Sequence, residues 1–223
     1  MTFIAFTLLL ALSPVISSIG QASAPLSGSV QASPAPAGLA APIAAKLGKS
    51  SVRVVVSKGP ATLEFWWVDG LSVKAGAAAP SWADVEEGAL VGAVNVSTEF
   101  RDIRARVIKP GVYTLRYGIQ PDNGDHLGVS PFRQFLLLSP AALDTDPQPR
   151  GHDGTVEISK EAIGGSHPAV WSIDPPAAKA AVLQPHKTEL DHDAIVMEIP
   201  VVRDAEPAGT LRFGVVLIGK IEA

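Results

Sequence analysis

Five histidines, at positions 126, 152, 167, 186 and 192, carry most of the chemistry open to this chain, because its 223 residues include no cysteine. Three of them have acidic neighbours, in Gly124-Asp-His126, Gly151-His-Asp153 and Asp191-His-Asp193. Imidazoles and carboxylates gathered from separate loops can hold Zn²⁺ or Cu²⁺, which makes His126, His152 and His167 the candidate ligands. No pair has the spacing that would place two ligands on one helical face. On a strand, Asp191 and His192 would point opposite ways. The competing reading of all five is solvated loop histidines with local hydrogen bonds.

Other chemistries have less to stand on. Ser166 precedes His167 in Gly-Gly-Ser-His-Pro, which is not a nucleophile elbow, and adjacent side chains lack the geometry for proton transfer. Asp122, Asp125, Asp144 and Asp146 can pair as carboxylates or bind Ca²⁺, but such residues more often open turns. No phosphate-binding glycine loop follows a strand. The absence of cysteine excludes disulfides, thiolate catalysis and thiolate metal sites. A net charge of -4 offers no basic field for nucleic acid. The chain reads as non-catalytic, with binding as the better expectation. Trp66, beside Glu64 and opposite the Leu63, Phe65 and Trp67 face, is the expected exposed indole. With Asp125 and His126 it forms a candidate contact surface for a saccharide or protein partner. Core packing is the alternative for Trp66, Trp82 and Trp171 alike.

These residues need a frame, and strands provide it. Val52, Val54 and Val56 alternate, as do Leu63, Phe65 and Trp67, and Leu90 to Val96 is a further strand. Ile103, Ala105 and Val107 alternate with Arg104 and Arg106, which predicts a strand whose arginines face water. Pro110-Gly111 bends the chain into Tyr113, Leu115, Tyr117 and Ile119 on one face, and Asn123-Gly124 supplies a polar tip. Phe132 to Leu138 is apolar on both faces, as a central strand would be. Ile195, Met197, Ile199 and Val201, then a turn over Asp204 to Gly209, then Leu211, Phe213, Val215 and Leu217, predict a hairpin. Two short helices are expected as insertions, one begun by Ser81-Trp-Ala-Asp84 and one with Ser159 capping Lys160 to Ile163.

The fold class is therefore all-β: a single immunoglobulin-like β-sandwich with one or two short helical insertions, spanning residues 50–223. Ahead of it, Phe3 to Leu12 is a compact apolar run too short to cross a bilayer, and Ser17 to Ala24 supplies the small residues of a cleavage site. Residues 1–24 are thus expected to be a signal peptide. That implies a periplasmic or extracellular protein with no membrane span after cleavage. Residues 25–49, rich in Ala, Pro and Ser, are expected to be a flexible linker.

Lys109-Pro-Gly-Val-Tyr-Thr-Leu-Arg-Tyr resembles the penultimate strand of immunoglobulin-like and fibronectin type III-like domains. The resemblance implies that the Tyr113 hydroxyl closes a corner and that Leu115 stands where a disulfide cysteine would. The longer pattern, through Gly-Asp-His-Leu-Gly, Phe-Leu-Leu-Leu-Ser-Pro, Asp144-Thr-Asp146 and Ser166-His-Pro-Ala-Val170, resembles uncharacterised exported bacterial proteins and implies location alone. Pro110-Gly-Val-Tyr113 followed by His126 is also similar to the last strand of cupredoxins. A blue-copper site needs a thiolate that this chain lacks, so only that scaffold could be shared.

Overall fold

The computed structural model describes residues 25–57, 61–74, 79–121, 130–176 and 178–219. Within them the chain is all-β with two short helices. In chain order the elements are β1 (Leu26–Ala32), α1 (Ala41–Ala44), β2 (Ser50–Val56), β3 (Thr62–Trp67), β4 (Leu71–Ser72), β5 (Leu90–Val96), β6 (Phe100–Arg101), β7 (Val107–Ile108), β8 (Gly111–Ile119), β9 (Gln134–Pro140), α2 (Gly151–Lys160), β10 (Ala169–Asp174), β11 (Pro185–Lys187), β12 (Asp193–Arg203) and β13 (Glu206–Ile218). No helix among the described residues is long and apolar enough to cross a membrane.

One curled sheet runs β1-β2-β3-β5-β8-β9-β10-β13-β12-β11, and β4 adds to β12. Its corner is β10. Ala169 to Ser172 pair with β9, whereas Ile173 and Asp174 pair with β13, so one strand belongs to both limbs of the curl. Beyond the corner the limbs face each other across aromatic rings. Phe65 stacks on Trp67 at 5.4 Å, Trp67 meets the edge of Phe213 at 5.4 Å, and Phe65 tilts against Trp171 at 5.5 Å. Trp82, on a 3-10 turn over Trp82–Asp84, stacks on Tyr117 and meets the edge of Phe213. The Asp84 carboxylate accepts the Ser81 amide and hydroxyl, each at 2.9 Å, which holds that turn in place.

Period-two burial made much of this readable. Tyr113, Leu115 and Tyr117 of β8 and Ile195, Met197, Ile199 and Val201 of β12 all face the interior. The Tyr113 hydroxyl donates to the Lys109 carbonyl at 2.8 Å, closing the corner expected of it. The β12–β13 hairpin turns at Asp204 and Ala205, both at positive φ (52° and 67°), the pair of angles a two-residue reversal requires.

Four expectations fail. Part of the stretch expected as a linker is built into the fold: Leu26 to Ala32 pair with β2, and Leu26 is fully buried. Trp66 is buried too, at 2% exposure, and donates its indole N–H to the carbonyl of Ser33 at 3.4 Å. The chain between β1 and β2 thus covers the outer face of β3. Residues 102–106 are not a strand but the turn of a β6–β7 hairpin, with Ala105 at φ 60°, and pairing resumes only at Val107. The second helix lies earlier than expected, at 151–160, and Ser159 is not its cap. It sits buried in the last turn and donates to the Ala169 carbonyl at 3.0 Å.

A buried ion pair holds α2 against the outer face. Arg116 and Asp144 are both fully buried. Arg116 Nε and Nη2 donate to Asp144 at 2.6 and 2.8 Å, Nη1 donates to the carbonyls of Gly88 and Gln148, and Nη2 also reaches the carbonyl of Asp146. Asp144 accepts in addition from Thr114 Oγ1 at 2.5 Å and Arg150 Nε at 3.0 Å. All five guanidinium N–H donors are matched, and four donors reach the carboxylate.

Two stability measurements check this account. Leu26→Ala should lower unfolding stability by about 2–5 kcal/mol in urea titrations, where a free tether would leave it unchanged. Arg116→Met leaves the buried Asp144 carboxylate with Arg150 in place of its two-point partner and should cost about 3–5 kcal/mol, more than Arg101→Met at an exposed pair.

Candidate functional site

The outer face of the sheet stays open beside the first turns of α2, and a cleft forms there. The β6–β7 hairpin brings Arg104 and Arg106, the end of β8 brings Gln120 and Pro121, and β9 with the residues before it brings Ser130, Phe132, Gln134 and Phe135. One face of α2 adds His152 and Val156, and the approach to β10 and its outer face add His167, Pro168, Val170 and Ser172. The cavity measures about 180 Å³.

Local sequence explains each wall. On β10, Val170 and Ser172 alternate with the buried Ala169, Trp171 and Ile173, so they face outward. Ser172 lies opposite Phe135, which lies opposite Gly118 of β8. A Cβ on Gly118 would sit 2.6 Å from the Phe135 ring, so glycine lets that ring lie down over β8 as the cleft floor. Asp102, which is buried, shapes the arginine-bearing turn. Its Oδ1 accepts the backbone amides of Arg104 and Arg106, both at 2.9 Å. Burial raises the Asp102 carboxyl above its ordinary value, and those amide bonds pull it part of the way back. Burial and then the neighbouring Arg106 charge lower Arg104 from its ordinary value, while Asp102 opposes both. Arg106 Nη1 donates to the Pro168 carbonyl at 3.2 Å, which ties the hairpin to the far wall.

His152 is held from behind. Its Nδ1 lies 2.7 Å from Glu87 Oε1, which also accepts the Ile119 amide at 3.0 Å. With Glu87 as acceptor, Nδ1 carries the proton.

Of the residues singled out from sequence, His152 and His167 come together on this cleft. Asp125 and His126 lie outside the described residues. Trp66 stands on the outer face of β3 but outside the cleft, buried against the segment that follows β1, so the expectation of an exposed indole there is corrected. Trp67 and Trp171 are also buried and Trp82 is half-buried. Among the described residues no group of three or more His, Asp and Glu side chains is placed to hold a metal ion. Asp144, a candidate cation ligand, spends its oxygens on Arg116, Arg150 and Thr114, and Asp146 Oδ1 accepts the Gln148 amide as a turn residue does. Arg104 and Arg106 were missed as site residues. Their signal was three arginines within Arg101-Asp-Ile-Arg-Ala-Arg106, too dense for an ordinary strand, with an aspartate able to fold the backbone around itself.

The remaining two histidines meet a buried carboxylate at the end of β10. Burial raises the Asp174 carboxyl above its ordinary value, the charges of His186 and His192 pull it down in part, and Glu189 pushes it up. A carboxyl raised in the folded state contributes stability that is full below its unfolded value and is lost as pH rises through the folded one. Asp174→Asn should therefore show little advantage near pH 4 and a higher urea midpoint than the parent at pH 7. Equal differences at the two pH values would refute the assignment. Compared with family models, curated proteins and solved structures, the chain shows no match, so its function must be read from the geometry.

Proposed function

We propose that this chain is an exported, non-catalytic binding or accessory module of immunoglobulin-like β-sandwich type that takes its ligand in the cleft between the β6–β7 hairpin, β9, β10 and α2. The observation that carries the reading is that cleft: a concave, largely apolar site with a few converging polar groups, the usual form of a small-ligand pocket. The sandwich reading is supported by the antiparallel strands and by the Tyr113 corner. Export is supported by the apolar run Phe3 to Leu12 and by the small residues up to Ala24, and cleavage there would leave β1, which begins at Leu26, whole.

The burial of the tryptophans turns the reading away from a flat aromatic platform for polysaccharide. The two arginines on the rim likewise make the His152 and His167 side of the cleft a poor place for a metal cation, because like charges repel it.

A ligand-observed NMR screen with a fragment library of mixed charge tests the proposal. Hits should bind the parent and be lost in Val170→Trp, whose indole fills the cavity from an outward-facing position. A screen with no hit, or with hits that persist in Val170→Trp, would place any ligand elsewhere.

A further inference from the structure

The proposal above leaves the ligand's chemistry open, and the lining narrows it. Among the described residues the lining holds two arginines and two histidines and no carboxylate, within a chain of net charge -4. The cationic rim is thus a local feature and not part of a general basic surface. Two carboxylates behind the lining, among the described residues, are each engaged through one oxygen. Glu87 lies behind His152 with its Oε1 shared between the imidazole and the Ile119 amide, and Asp102 Oδ1 is spent on the backbone of the hairpin. Arg104 and Arg106 sit half-buried and close enough for one to depress the other, with no carboxylate at ion-pair distance from either guanidinium among the described residues. A guanidinium pairs with a planar carboxylate through two parallel hydrogen bonds.

Size sets the rest. A cavity of about 180 Å³ is little larger than the engineered apolar void of about 150 Å³ that accepts benzene, so it has room for one ring and a short polar appendage. Phe132, Phe135 and Val170 supply the apolar contact for such a ring.

We propose that the cleft binds a small free organic acid with one apolar ring, its carboxylate paired with Arg104 and Arg106 and its ring set against Phe132, Phe135 and Val170. The inference rests on the cleft being the ligand site. Asp102 is a positioning residue for the two arginines.

Calorimetric titration of the purified protein with phenylacetate tests it, against 2-phenylethanol, phenethylamine, acetate and a short peptide ending in a free phenylalanine carboxylate. Phenylacetate should bind with a Kd of about 0.1–1 mM, the range expected for a ligand of about ten heavy atoms. Each of the other probes should bind at least tenfold more weakly. Arg104→Gln and Arg106→Gln should each weaken phenylacetate about tenfold, with the ligand-free melting temperature unchanged in Arg104→Gln, and added salt should weaken binding further. Equal affinity for phenylethanol, or no loss in either arginine variant, overturns the anion. Equal affinity for acetate overturns the ring. Tighter binding of the peptide moves the occupant to a polypeptide terminus and overturns the free acid. In each of these cases binding that is lost in Val170→Trp leaves the cleft standing as a ligand site, whereas the absence of binding by every probe, together with an empty fragment screen, removes both readings.

Discussion

The guanidinium of Arg116 is the constraint on which the outer half of this protein depends. It projects from β8, in the middle of the sheet, toward the face that a simple sandwich would leave to water, and it is buried there with all five donors matched. Burying one charge this deeply requires the opposite charge and further acceptors close by. The segment after β9 supplies them, through Asp144 and the carbonyls of Asp146 and Gln148, and so it cannot leave the sheet. Gly88 comes close on the other side at φ +81°, where a Cβ would lie 2.5 Å from the Gly151 amide. Helix α2 therefore starts where Arg116 and Gly88 put it. The edge of the cleft follows from that start.

This arrangement accounts for the division between what could be read from the chain and what could not. Alternation reports which residues leave water on one face of a strand, and it located the inner faces of β3, β8, β12 and β13, where that face meets the opposite limb. It says nothing of segments that later cover the second face. Trp66, Arg116 and Thr114 all stand on outer faces, and an outward position on a strand normally implies solvent. Here residues 33–49 and α2 occupy that space. Neither segment is patterned to attract notice: the first is mostly Ala and Pro, and α2 opens Gly-His-Asp-Gly-Thr, a poor helix former by propensity, in which Thr155 bonds back to the Gly151 carbonyl one turn earlier and Ser159 is tied to the Ala169 carbonyl outside the helix.

The candidate site divides along the same line. His152 and His167 were visible as residue types with chemistry, and the fold does bring them to one cleft. The features that give the cleft its character, the paired arginines and the Phe135 floor, depended on a hairpin turn held by Asp102 and on a glycine two positions beyond Arg116. A buried carboxylate that organises two backbone amides looks, in sequence, like any other turn aspartate. Only the placement of Arg104 and Arg106 beside Pro168 and Val170 shows that the turn faces across to β10 and not out to bulk water.

The short parallel pairing of β4 with β12 has a bearing on how the chain reaches this state. Leu71 and Ser72 must await Val201 and Val202, which are synthesised long after them, before the curl can close. Until then Phe65, Trp67 and Trp171 lack the limb that covers them, and early collapse around local hairpins leaves a sticky aromatic surface on display. Sheets dominated by such distant pairings assemble slowly and are prone to clump in the interval. A version truncated before β12 would leave those rings facing water however intact its earlier strands.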